Sequence, residues 1–263
     1  ARSGTNYAEE LKTTSWLSRS KRKKQIASAY LEADEMIAVS QGVAQGLAQV
    51  CEIDPAQIHV LKNPTVTPYI EPMANEALDH AWFKLDEPLI VSVGSLSRRK
   101  NYELLLKSFA LVRKTLAAKL IVVGGGKRMV KLQALADKLG VLGDVDFVGA
   151  TQNPYPYMKH ADVTVLSSNR EGSPNVLAES LSLQTAVVST NCQSGPEEML
   201  AGGKYGELVP VNDKKALAQG ILRALKRSDS AELFEEAINP YLLKNSVAGS
   251  LSAFANPKKP GKG

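Results

Sequence analysis

The residues able to do chemistry crowd into one stretch, Ser167 to Pro196, SSNREGSPNVLAESLSLQTAVVSTNCQSGP. Glu171 and Glu179 stand on either side of a Gly-Ser-Pro-Asn turn that opens a helix. Pro174 suits the first helical position, where its missing N–H has no partner to lose. Ser173, just before it, suits the N-cap. The turn from Gly172 to Val176 then presents free backbone N–H groups at the positive end of a helix dipole, a seat for phosphate. Ionised carboxylates only accept hydrogen bonds, so Glu171 and Glu179 suit a hydroxyl-rich ligand such as a sugar or a ribose. A capped helix with two solvated acids is the plain alternative for either glutamate alone.

A second group follows the apolar run LIVSV. In GSLSRRKN, the small residues Gly94 and Ser95 let a ligand approach the backbone, and Arg98, Arg99 and Lys100 stand close behind. Cations there would stabilise charge that grows on a departing diphosphate. An exposed basic loop is the alternative. The run GGGKR (Gly124 to Arg128) is a weak dinucleotide signal, because Met129 takes the sixth position of G-x-G-x-x-G and Asp146 lies inside VDFVG. It reads as a tight turn. His59, His80 and His160 are scattered and read as structural or surface residues, and neither G-x-S-x-G nor H-E-x-x-H is present.

The pattern E-G-x-P-x-x-x-x-E, followed by a strand and S-G-P-x-E, resembles the donor-binding signature of retaining glycosyltransferases with two Rossmann-like domains, the GT-B fold. More narrowly it is similar to their family four, from about Ala33 to Leu225. The resemblance implies candidate catalytic roles for Lys100, Glu171 and Arg99, with Lys100 aligned to the lysine of the family's G-R-L-x-x-x-K-N. Glu171 would meet the donor sugar's hydroxyls, and the amides of Gly172, Ser173, Pro174-Asn175 and Val176 its sugar or diphosphate. Glu179 would hold the ribose diol, Leu177 would pack near the base, and in FVGAT, which resembles the family's base-binding turn, backbone groups of Val148, Gly149 and Ala150 would hydrogen-bond uracil or another base. Gly94 and Ser95 complete the donor contacts. The chain departs from the family at Gln184 and Ala186, where Gly and Pro are usual, and at Ser95, where arginine is frequent. No nucleophile is assigned to Glu171, since front-face attack is one proposed route to retention. The family's catalytic histidine belongs to the other domain. The implied reaction moves a hexose or N-acetylhexosamine from a uridine-linked nucleotide sugar to a glycan or lipid-linked acceptor, with no metal and no cofactor. A non-catalytic nucleotide-sugar module and an NAD-linked Rossmann enzyme are the competing readings.

The elements that must position these groups follow an α/β alternation. Strands LIVSVG, KLIVVGGG, VDFVG, VTVL, AVVST and ELVP alternate with helices, one of them carrying Leu105, Phe109, Val112 and Leu116 at helical spacing. Such apolar strands predict a doubly wound parallel sheet covered on both faces, over residues 88–226. Before it, residues 1–66 hold a polar, basic helix from about Ala8, a strand Met36 to Val39, a helix capped by Ser40, and the strand IHVLKNP. That is short of the ~100–150 residues usual for a domain; ADEMIAVS and IHVLKNP resemble the last strands of the family's N-terminal domain, and this resemblance implies the remnant of an acceptor-side Rossmann-like domain. Residues 67–87 read as a linker, and 227–263 as a helix and flexible tail.

Two distant cysteines, Cys51 and Cys192, argue against a disulfide framework and fit a reducing, cytoplasmic compartment. No apolar run approaches the ~20 residues of a membrane span, and ARSGTNYAEE lacks the shape of a signal peptide. The net charge of +5 is concentrated in SRSKRKK and KKPGKG. No aromatics interleave with these runs, which disfavours nucleic acid. A solvated face is the plain reading, and peripheral contact with the inner face of a membrane the functional one.

Overall fold

Six short apolar runs become the strands of one all-parallel sheet, as their lack of polar alternation requires. In the computed structural model, which describes residues 1–255, they are β4 (Leu89–Val93), β5 (Lys119–Val123), β6 (Val145–Gly149), β7 (Val163–Leu166), β8 (Ala186–Thr190) and β9 (Glu207–Val209), in the spatial order β6-β5-β4-β7-β8-β9. The basic tail KKPGKG lies outside the described residues.

One face of this sheet is covered by α5 (Tyr102–Val112) and α10 (Lys214–Ala224), whose Leu105, Phe109, Leu217 and Ile221 are completely buried. Leu116 falls beyond the end of α5 and packs at the margin. The other face carries α7 (Tyr155–His160), α8 (Asn175–Ser182) and α11 (Ala231–Ile238), with Met158, Leu177 and Leu181 at its core. Helices α6 (Met129–Lys138) and α9 (Pro196–Met199) complete this lobe.

The smaller lobe is a three-stranded parallel sheet, β1 (Arg2–Ser3), β2 (Met36–Ala38) and β3 (Ile58–Val60), with α3 (Gln41–Cys51) between the last two. Ser40 caps α3 as expected, its hydroxyl accepting from Val43 N–H at 3.2 Å. The opening 32 residues differ from the single helix expected. They form β1 and two helices, α1 (Tyr7–Lys12) and α2 (Trp16–Leu31). The break has a local cause: the hydroxyls of Thr13 and Thr14 both donate to the Glu10 carbonyl, at 2.9 and 3.0 Å, at the end of α1.

The segment expected as a linker contains α4 (Ile70–Ala74) and one 3-10 turn (Ala81–Lys84), pinned where Phe83 stacks on His160 at 4.1 Å. The C-terminal part likewise holds two helices rather than one, α11 and α12 (Leu243–Ala255). The chain before α12 returns to the start of the linker, Val66 N–H donating to the Tyr241 carbonyl at 2.9 Å. Ser246 Oγ then donates to the Lys62 carbonyl at 2.6 Å, which ties α12 to the smaller lobe.

Candidate functional site

The order of the large sheet reverses between β4 and β7, so the loops leaving their carboxyl ends diverge and open a crevice. Gly94 to Asn101 leaves β4 and Ser167 to Pro174 leaves β7. The two loops are fastened together: Asn169 N–H donates to Arg99 O at 2.8 Å, and Ser167 Oγ to Lys100 O at 2.9 Å. Asn101, in the left-handed region at φ +49°, caps α5 and donates through Nδ2 to Asn169 Oδ1 at 3.0 Å.

This bracing aims Lys100 and Glu171 at one another across the crevice. Lys100 Nζ lies 2.7 Å from Glu171 Oε1, Ser168 Oγ donates to the same oxygen at 2.6 Å, and Arg99 Nη1 stands 3.5 Å from Oε2. The Glu171 side chain is only 5% exposed and that of Lys100 13%, whereas Arg99 is half exposed. Removing one member of a buried pair leaves an uncompensated charge and costs about 3–5 kcal/mol.

A hollow of about 350 Å³ is lined by Gly94, Arg99, Lys100, Glu171, Gly172, Ser173, Pro174, Asn175, Val176 and Glu179. It thus brings together ten of the residues singled out in the sequence. The helix start differs by one position from the expectation: α8 begins at Asn175, with Pro174 rather than Ser173 in the cap position, and no side chain caps it. Proline has a carbonyl but no N–H, so it fits a cap site without supplying a side-chain acceptor. Glu179, in the second turn, is pushed up to about 7 by burial, while the Lys100 charge pulls the other way.

Five singled-out residues stand apart from this hollow. Ser95 is exposed beyond its rim. Val148, Gly149 and Ala150 end or follow β6, two strands from β4, where Gly149 O accepts from Gly124 N–H at 2.7 Å. Leu177 is fully buried in the core under α8, so its side chain serves packing and does not reach a ligand base. The side chain of Asn175 is engaged too, its Oδ1 accepting from Asn63 Nδ2 at 2.9 Å and Thr65 Oγ1 at 3.1 Å, which leaves its backbone for a ligand. The glycine run has a packing origin: a Cβ at Gly124 would overlap the Gly94 carbonyl.

The smaller lobe contributes groups that the sequence did not disclose. Gly4 touches the back of the turn so closely that a Cβ on Gly172 would strike its carbonyl oxygen. Arg170, the neighbour of Glu171, reaches across to α1 and donates to Thr13 Oγ1 at 2.9 Å. A second hollow of about 410 Å³, lined among others by Gly4, Asn6, Glu9, Arg99, Arg170, Glu171 and Gln193, adjoins the first. Only the position of Arg170 beside Glu171 could have hinted at this.

The histidines are engaged elsewhere, His59 Nε2 at 3.1 Å from Glu35 and His80 Nε2 at 2.9 Å from Asp146. Burial pushes the Cys192 thiol up to about 12, which disqualifies it as a thiolate nucleophile. Among the described residues, no three His, Cys, Asp or Glu side chains are grouped so as to hold a metal ion.

Residues 76–239 match the family "Glycosyl transferases group 1". The chain is 32% identical over 201 residues to the N-acetylgalactosamine-N,N'-diacetylbacillosaminyl-diphospho-undecaprenol 4-alpha-N-acetylgalactosaminyltransferase of Campylobacter jejuni, covering 76% of this chain and 53% of that protein. It spans between about a third and about half of the length of the first curated relatives it matches. Two solved structures share its fold. A TarM variant of S. aureus, in complex with fondaparinux, alpha-GlcNAc-glycerol and UDP, superposes with a TM-score of 0.77 at 18% identity, over 96% of this chain and 50% of that one. HepE of Anabaena, in complex with UDP and glucose, gives 0.70 at 18% identity, over 88% and 67%. With its two parallel-sheet lobes of GT-B type and a family match over more than half its length, the chain belongs to the group 1 glycosyltransferases of family four.

Proposed function

We propose that this chain is the donor-gripping part of a retaining glycosyltransferase that moves a hexose or N-acetylhexosamine from a UDP-sugar to a glycan or lipid-linked acceptor. The observation that carries this reading is the Lys100–Glu171 pair facing the uncapped start of α8 across one hollow. The diphosphate takes the amides of Gly172, Ser173, Asn175 and Val176, where helix dipole and N–H groups favour an anion. As the glycosidic bond breaks, charge grows on the diphosphate, and Lys100 and Arg99 offset it from a site prepared in advance. Glu171 exchanges part of its ion pair for sugar hydroxyls, and Glu179 accepts from the ribose diol. The UDP bound to the TarM variant and to HepE supports a uridine donor. Titration with UDP-glucose, UDP-galactose, their N-acetyl forms and NAD tests the reading. At least one UDP-sugar binds and NAD does not; retention of NAD alone contradicts it.

We further propose peripheral contact of the protein with an anionic membrane at its cytoplasmic face. On α2, Trp16 and Leu17 are each 81% exposed beside the exposed cations Arg19, Lys21, Arg22 and Lys24. Aromatic and aliphatic groups entering the headgroup layer, backed by cations, suit such contact. Among the described residues no helix is long and apolar enough to cross a membrane. Co-sedimentation with phosphatidylglycerol vesicles checks this. Binding that is lost on phosphatidylcholine, in high salt and in Trp16→Ala/Leu17→Ala supports it, and equal recovery in all the pellets contradicts it.

A further inference from the structure

Helix α3 shows two different faces to the space between the lobes. Gly42 and Gly46 form the close one: a Cβ at Gly42 would crowd Ser194 of the larger lobe, and one at Gly46 would overlap Asn6 Oδ1. Asn6 Nδ2 donates both to the Gly42 carbonyl, at 3.0 Å, and to Ser194 Oγ, at 2.9 Å, so helix, α1 and larger lobe meet at one polar node. Gln41, Gln45 and Gln49 form the other face. Their spacing of four puts them on one side of the helix, and all three are exposed. This carboxamide row walls a groove of about 470 Å³ between α1 and the loop Gln193–Glu198, within the roughly 300–1,000 Å³ typical of small-ligand sites.

We propose that this groove is a saccharide subsite, in which Gln45 and Gln49 read the hydroxyl and acetamido groups of a neutral acceptor glycan. This rests on the glycosyltransferase reading above and names the acceptor chemistry for it. A carboxamide offers donors and acceptors together, as a sugar hydroxyl does, whereas a charged wall offers only one kind. The lining has no large apolar side chain to hold a lipid tail. Among its lining acids, Glu9 is bonded to Lys12 at 2.6 Å and Glu198 is paired with Lys62, which lies outside the lining, so no lining cation is free. A phosphorylated or uronic-acid ligand therefore finds no free cation there and meets the carboxylate of Glu197. The groove also shares Asn6, Glu9 and Gln193 with the hollow that reaches Arg99 and Glu171. A sugar whose reacting hydroxyl lies beside Glu171 can thus extend its remaining residues along α3.

Saturation-transfer NMR on the full chain with a neutral N-acetylhexosamine trisaccharide, with and without saturating UDP, tests this. The expected result is trisaccharide binding that survives saturating UDP, weakens about tenfold in Gln45→Ala/Gln49→Ala as two hydrogen bonds are lost, and is absent for a uronic-acid trisaccharide of equal length. UDP affinity is unchanged in that variant, whose surface substitutions replace glutamine by a better helix former. Displacement of the trisaccharide by UDP, indifference to the double substitution, preference for the acidic trisaccharide, or no trisaccharide binding at millimolar concentration overturns the subsite. Failure of UDP to bind at all counts against the donor reading instead, and is read in the same experiment.

Discussion

Glu179 is the residue whose behaviour says most about the site. Burial raises its pKa from 4.5 to about 7. Below about pH 4.5 the folded and unfolded forms both hold the proton, so no stability is lost. Between 4.5 and about 7 the unfolded chain releases it first, so stability falls as pH rises across that window and is flat above it. Glu179→Gln is therefore expected to raise Tm at about pH 8 and to leave it unchanged at about pH 4, measured by calorimetric melting. Binding follows the same group in the opposite sense. In the proposed complex the ribose hydroxyls donate to the ionised acid, so UDP binding is expected to expel a proton, with affinity rising from about pH 6 to 7.5 as the acid ionises. Titrations in buffers of different ionisation enthalpy give the proton count, about one at the lower pH and near zero in Glu179→Gln. An uptake of protons, or no change in the variant, removes Glu179 from the ribose. Both glutamates were legible in the sequence from their spacing about a Gly-Pro turn. The partner of Glu171 was legible only as a cationic loop, because the meeting of Lys100 and Glu171 depends on the strand order.

At the scale of the element, α8 is shaped at both ends by residues the sequence marked. Its start is a proline cap without a side-chain acceptor, one position from the serine cap expected, and the residues of that turn line the hollow. Its end is a Schellman turn: Gln184 N–H donates to Leu181 O at 3.1 Å and Thr185 N–H to Ser180 O at 3.0 Å. Gln184 itself stands at φ +58°, in the left-handed region that favours glycine. The glycine that the family resemblance leads one to expect at this place thus answers a backbone preference, which this chain meets with strain. Gln184→Gly is expected to raise stability by about 1 kcal/mol, or Tm by roughly 2–4 °C for a chain of this size, with UDP affinity unchanged. A lower Tm would show that the side chain contributes more than the turn costs. Elements with strong apolar periodicity were read correctly because burial set both period and type. The opening helix was misread because threonine hydroxyls, competing for the Glu10 carbonyl, end α1 where hydropathy continues.

Across the whole molecule, the loops that grip the donor in this reading also join the lobes. Arg170 reaches α1, Asn175 bonds Asn63 and Thr65, and Glu198 accepts from the Gln41 amide at 2.9 Å while pairing with Lys62. Helix α12 adds a strap from the far end of the chain. None of these contacts was visible in the sequence, since each links residues more than 100 positions apart through side chains with no local pattern. The doubly wound sheet was visible, because six apolar runs separated by helices admit few other arrangements. The central claim concerns charge: the crevice between β4 and β7 is built for a diphosphate. Calorimetric titration of UDP against uridine, in the native protein and in Lys100→Met, tests it most directly. UDP binds about 10- to 100-fold more tightly than uridine in the native protein, the worth of one or two charge-assisted hydrogen bonds, and most of that preference is lost in Lys100→Met. Equal affinity for UDP and uridine, or a preference that survives the loss of Lys100, would contradict the account.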